Sequence, residues 1–233
     1  MHTPSLPRHV PTRWFDHALL AVLLLLLLLA VVPLAWRMYQ ADWAVVGARP
    51  LLAQWSESRK PVGDTQWQLA RMKYERALAY SPDSPALHDE LAALYILAAR
   101  TNAPQSEARL ALYEQAAKAQ VNALALRPAH SWTWAGLAES MRELQPDGED
   151  GWQAWRMAAQ YGPHELLVKA TLYHLGREAI PSPPPDVQAW MFDTQATASN
   201  QLRQLLRLDT PTAQAMQADA LALKMDFSMS AAN

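Results

Sequence analysis

Seven histidines, scattered serines and ten tryptophans are the side chains of this 233-residue sequence best suited to chemistry. His88, Asp89 and Glu90 are adjacent. An imidazole beside two carboxylates could hold a cation or pass a proton. On a helix, though, consecutive side chains point apart, so these three do not converge. No His-Glu-x-x-His pair or comparable ligand spacing occurs. His130, His164 and His174 fall near turns or on helix surfaces. Ser131 and Ser140 have no base and orienting acid at a suggestive spacing. A GxSxG elbow, a Walker glycine loop and a dinucleotide fingerprint are all absent. Cysteine is missing too, which excludes disulfides, thiol nucleophiles and cysteine-ligated zinc. The expectation is a protein that is not an enzyme and uses no metal and no cofactor.

The tryptophans point instead to binding. Trp132, Ala135, Glu139 and Arg142 recur at spacings of three, four and three, which places them on one helix face. An exposed aromatic ring flanked by a carboxylate and a guanidinium is a platform for a peptide or a sugar chain.

The first element able to position such a face is the stretch Ala18 to Ala35, ALLAVLLLLLLLAVVPLA, which carries no charged or polar side chain. As a helix it spans roughly 27 Å, close to the hydrocarbon thickness of a bilayer. Trp14 and Phe15 precede it, and Trp36, Tyr39 and Trp43 follow it, where interfacial aromatics belong. The apolar core is longer than a secretory signal requires, so a retained anchor is expected. Arg8 and Arg13 lie before it and Arg37 and Arg49 after it, a nearly balanced count. A short leading tail then places residues 1–17 in the cytoplasm and exports the rest, in a bacterium to the periplasm. The net charge of −2 offers no basic field for nucleic acid.

Beyond the anchor, Ala, Leu, Gln, Glu and Arg abound, glycine is limited to 7, and 17 prolines fall largely between helical runs. Periodicity predicts helices over Leu51–Ser58, Thr65–Tyr80 and Ala86–Ala99. Met38 to Val46 is expected to continue the anchor as an interfacial helix. The string ERALAYSPDSPALHDELAALY recurs as VNALALRPAHSWTWAGLAESM and, more loosely, as WRMAAQYGPHELLVKATLYHL. Aligning Pro82, Pro128 and Pro163 also aligns Ala77 with Ala123 and Ala158, and Leu91 with Leu137 and Leu172. Each unit reads helix, proline turn, helix.

This pattern resembles the tetratricopeptide repeat, in which a small residue is followed by an aromatic, an alanine and a helix-ending proline. Ala70, Tyr74, Ala77 and Pro82 match it, while Gln120 replaces the aromatic between Ala116 and Ala123. The prolines are 46 and 35 residues apart against a usual 34, so an insertion is expected near Arg100 to Glu107. Together with the apolar anchor, the resemblance gives the expected all-α fold: a single N-terminal transmembrane helix, then a solenoid of about three helix pairs with a C-terminal capping helix. It also implies that Trp134 and Trp155 fill core positions, that Trp132 and Trp152 stand outside them, and that the Trp132 face lines a concave groove. The equivalent positions one unit earlier are Ala86, Asp89, Ala93 and Ile96. The expected partner groove is therefore Asp89, Ile96, Trp132, Ala135, Glu139 and Arg142.

Expected boundaries are the anchor at 18–36, a juxtamembrane segment at 37–49, the repeat domain at 50–179, a proline linker at 180–185, C-terminal helices at 186–224 and a flexible tail at 225–233. One amphipathic helix is expected over Asp186–Leu208, then a short one from Thr210 to about Leu223. Gly162-Pro163-His164-Glu165, HDELAALY, Tyr80-Ser81-Pro82-Asp83 and the anchor together resemble VpsP-type proteins of bacterial exopolysaccharide gene clusters. That resemblance implies a scaffold of an exopolysaccharide synthesis or export machine, with other envelope proteins as partners. The alternatives are a direct polysaccharide binder and an assembly factor of another envelope system, such as cytochrome c maturation or pilus biogenesis.

Overall fold

A computed structural model describes residues 13–58, 63–146, 148–179 and 182–206. Among these residues there are ten α-helices and no strand. They are α1 (Arg13–Val45), α2 (Arg49–Ser58), α3 (Asp64–Tyr80), α4 (Pro85–Arg100), α5 (Glu107–Leu126), α6 (Ser131–Leu144), α7 (Glu149–Tyr161), α8 (Leu166–Arg177), α9 (Pro185–Ala196) and α10 (Asn200–Leu206). The short helix expected from Thr210 and the tail after it lie outside the described residues.

Among the described residues α1 alone is long and apolar enough to cross a membrane, and its apolar window buries nothing against the rest of the chain. It runs without a break past the apolar stretch and through Trp43. Its last turns belong to the core: Ala41 and Val45 are buried with Ala70, Tyr74 and Ala77 of α3 and Leu91 and Leu94 of α4. No linker separates the candidate span from the domain. Arg49 fixes the junction, pairing with Asp42 of α1 at 3.1 Å and Glu90 of α4 at 3.0 Å.

Helices that follow one another from α3 to α9 pack together, and α2, α4, α6 and α8 also touch in series along one side. The turns that reverse the chain share one hydrogen-bonding scheme. Ser81, Arg127 and Gly162 each donate a backbone N–H to the alanine four residues back, at 2.9 Å in all three. Those acceptors are the buried Ala77, Ala123 and Ala158. A small residue there lets the next helix approach, and proline just beyond cannot extend the helix it follows. The insertion expected near Arg100 to Glu107 is corrected: most of the extra length lies in α5, 20 residues against 13 in α7, and the Ser106 hydroxyl caps that longer helix by accepting the Arg109 N–H.

The C-terminal helix differs from expectation. In place of one helix over Asp186–Leu208, the chain breaks between Ala196 and Asn200. The Thr197 hydroxyl donates to Asp193 O, closing α9, and the Ser199 hydroxyl accepts the Leu202 N–H, opening α10. Thr and Ser compete locally for backbone groups, and here they win over helix continuation. The break turns Leu202 and Leu206 back onto Ala170 and Tyr173 of α8.

Candidate functional site

The serial contacts of α2, α4, α6 and α8 enclose a groove of about 590 Å³. Leu52 and Ala53 of α2, Ala93, Ile96 and Leu97 of α4, and Ala135 and Gly136 of α6 give it an apolar lining. The concavity follows from side-chain size, because alanines stand on its walls where larger residues would fill the space. Trp132, at the start of α6, keeps 41% of its surface exposed in this groove. Gly136 is glycine because of the packing against α5: an added Cβ would stand 2.5 Å from the Gln120 side-chain nitrogen. Gln120 is the buried residue of α5 that replaces the expected aromatic.

The charges on the groove walls are already paired. Arg100 grips Glu139 with contacts of 2.7 to 3.0 Å, and the Tyr113 hydroxyl donates to the same carboxylate at 3.3 Å. Burial, with the Glu139 charge beside it, pushes the Tyr113 phenol up, so it stays a neutral donor. At the other end Glu90 accepts two bonds from Arg49 Nε, at 3.0 and 3.1 Å. The groove is thus an apolar floor between two self-satisfied ion pairs.

Of the six residues expected to share a groove, Ile96, Trp132, Ala135 and Glu139 line it. Asp89 and Arg142 do not, and this corrects the expectation. Asp89 is claimed by the end of α5 and the start of α6: Arg127 Nη2 donates to it at 2.6 Å and the Thr133 hydroxyl at 2.7 Å. Beside it, burial and then the Arg127 charge hold the His130 imidazole below the usual histidine range, with Asp89 and Glu165 opposing more weakly. Arg142 turns toward α7 and α8. Its guanidinium lies 4.5 Å from the Trp152 ring centre, and Nη1 donates to Leu175 O. Gly151 makes the route possible, since a Cβ there would meet the Arg142 stem at 2.6 Å. Trp152, expected outside the core, is buried for the same reason.

The Arg142→Ala variant is therefore expected to lose about 2–3 kcal/mol of stability, from a lost cation–π contact and an unpaired carbonyl. The check is the urea midpoint of the detergent-solubilised full chain. An unchanged midpoint contradicts the assignment.

The histidines have structural partners. His88 Nε2 stands 2.9 Å from Pro82 O and His174 Nε2 stands 3.2 Å from Leu205 O. A carbonyl can only accept, so each Nε2 carries the proton. Trp134 Nε1 makes the same bond to Pro128 O at 2.7 Å, six residues after its turn proline, as His88 does. Among the described residues no three acidic or imidazole groups gather where they could hold a metal ion.

Sequence reasoning missed the α2 wall and the role of Arg100. A signal was present for the first: Leu52, Ala53 and Ser56 share a helix face. For Arg100 there was none, because its partner lies 39 residues away on another helix. No protein-family model and no curated protein matches this chain.

Proposed function

We propose that this chain is a membrane-tethered scaffold of the tetratricopeptide type, whose groove seats an apolar segment of a partner protein. The observation that carries it is the groove itself, an apolar channel along one row of helices with Trp132 left partly bare. The three turns with one hydrogen-bonding scheme support the repeat reading. The pairing of Arg49 with Glu90 and Arg100 with Glu139 favours a peptide over a polysaccharide. A sugar chain needs free donors and acceptors for its hydroxyls, and these groups are committed to one another.

By resemblance, the machine served is one for exopolysaccharide synthesis or export, with α1 as a single-pass inner-membrane anchor and the domain in the periplasm. The role is organisation rather than catalysis. A tether confines the groove to the membrane surface and raises the effective concentration of partners held in the same membrane.

A photo-reactive amino acid placed at Ala93, on the groove wall, tests this in intact cells. The expected result is a crosslinked adduct with an envelope protein, absent when the probe sits at Val121, an exposed residue of α5 away from the groove. Adducts of equal yield from both positions, or none from Ala93, would contradict the proposal.

A further inference from the structure

A second cavity, of about 260 Å³, lies between α1 and the turn joining α3 to α4. Leu34, Met38 and Pro85 give it an apolar wall, and Arg37, Asp83 and Ser84 supply the polar groups. Its depth is set by α1. Leu34 lies at the end of the all-apolar run, and the helix continues unbroken, so Arg37 stands about 4.5 Å further along the axis. If the apolar run fills the hydrocarbon layer, that distance reaches the headgroup layer. Trp36 and Tyr39, both exposed, flank Arg37 at the level where aromatic side chains meet headgroups.

The polar groups have capacity to spare. Arg37 uses Nε to donate to Tyr80 O at 3.0 Å, which fixes the guanidinium at the cavity; among the described residues neither terminal nitrogen has an acceptor. Asp83 accepts one bond, from the Ser81 hydroxyl at 3.2 Å, and pairs with no cation among the described residues. Ser84 occupies the N-cap of α4 without using its hydroxyl as a cap.

We propose that this cavity binds the headgroup of phosphatidylethanolamine, the phosphate on Arg37 and Ser84 and the primary ammonium on Asp83. One cationic and one anionic side chain match a zwitterion. Phosphatidylglycerol brings no cation for Asp83. Phosphatidylcholine brings a quaternary ammonium with no N–H to donate. The acyl chains continue along Leu34 into the bilayer. Such a lipid locks the domain's rotation about the membrane normal and so fixes which way the groove faces. The proposal rests on α1 spanning the membrane.

The test is native mass spectrometry of the full chain released from vesicles of equal phosphatidylethanolamine, phosphatidylcholine and phosphatidylglycerol with matched acyl chains. Wild type should retain phosphatidylethanolamine about tenfold over the other two, the scale of one charge-assisted hydrogen bond. Arg37→Gln should lower retention of all three. Asp83→Asn should bring phosphatidylethanolamine down to the phosphatidylcholine level. Arg37 and Asp83 are exposed, so neither variant should shift the thermal midpoint. Equal retention of the three lipids by wild type, or an unchanged preference in Asp83→Asn, overturns the proposal. Displacement of the lipid by soluble phosphoethanolamine at equal concentration would overturn it in favour of a free phosphate ester. Extraction of the chain from membranes by alkaline carbonate would remove the span and the lipid site together. Resistance to carbonate without lipid preference removes the lipid site alone.

Discussion

Replacing Trp155 with alanine is expected to remove about 3–5 kcal/mol of stability, the usual cost of deleting a buried aromatic side chain. Trp155 is 2% exposed and joins three helices. From α7 its Nε1 donates to Leu172 O of α8 at 2.9 Å, and its ring meets Trp190 of α9 edge-on at 4.8 Å. Truncation would open a cavity, free a buried carbonyl and detach α9 together. A loss of that size is a large share of the stability of an ordinary domain. Trp155→Phe should cost less, about 1–2 kcal/mol, because much of the ring remains and the lost bond dominates. Urea unfolding of the detergent-solubilised full chain measures both. Because the core around Tyr74 and the core around Trp155 are separate clusters, limited proteolysis of Trp155→Ala should cut first within α7 to α9. An unaltered midpoint, or first cleavage within α3 to α5, contradicts this account of the core.

Much of the helical framework was legible in the sequence. The limits Thr65–Tyr80 and Ala86–Ala99 fall within one residue of α3 and α4, because proline turns and a 3.6-residue apolar period announce themselves locally. The groove was legible in part. Periodicity assigns a side chain to a helix face, so Trp132, Ala135 and Glu139 could be grouped. It does not say which neighbour claims a charged group. Asp89 and Arg142 share faces with groove residues, yet one is held by Arg127 at the end of α5 and the other passes over Gly151 to Trp152. Long side chains follow partners fixed by tertiary packing. The break between α9 and α10 was missed for a different reason. Thr197 and Ser199 interrupt the helix through hydroxyl bonds to the backbone, which an apolar pattern does not register.

The second large effect concerns Trp132. Its exposed fraction corresponds to roughly 100 Å² of aromatic surface, worth about 2.5 kcal/mol when a partner covers it. Trp132→Ala should therefore weaken partner binding about 50-fold. Folding should be nearly untouched, since the ring is not part of either main core cluster. Arg142→Ala provides the contrast: it lies on the same helix, directed away from the groove, and should cost stability without affecting the partner.

The most direct measurement is the amount of the envelope protein crosslinked from Ala93 that co-purifies with tagged full-length wild type, Trp132→Ala and Arg142→Ala. The groove account predicts strong loss for Trp132→Ala and wild-type recovery for Arg142→Ala. Undiminished recovery with Trp132→Ala, or equal loss in both variants, would contradict it.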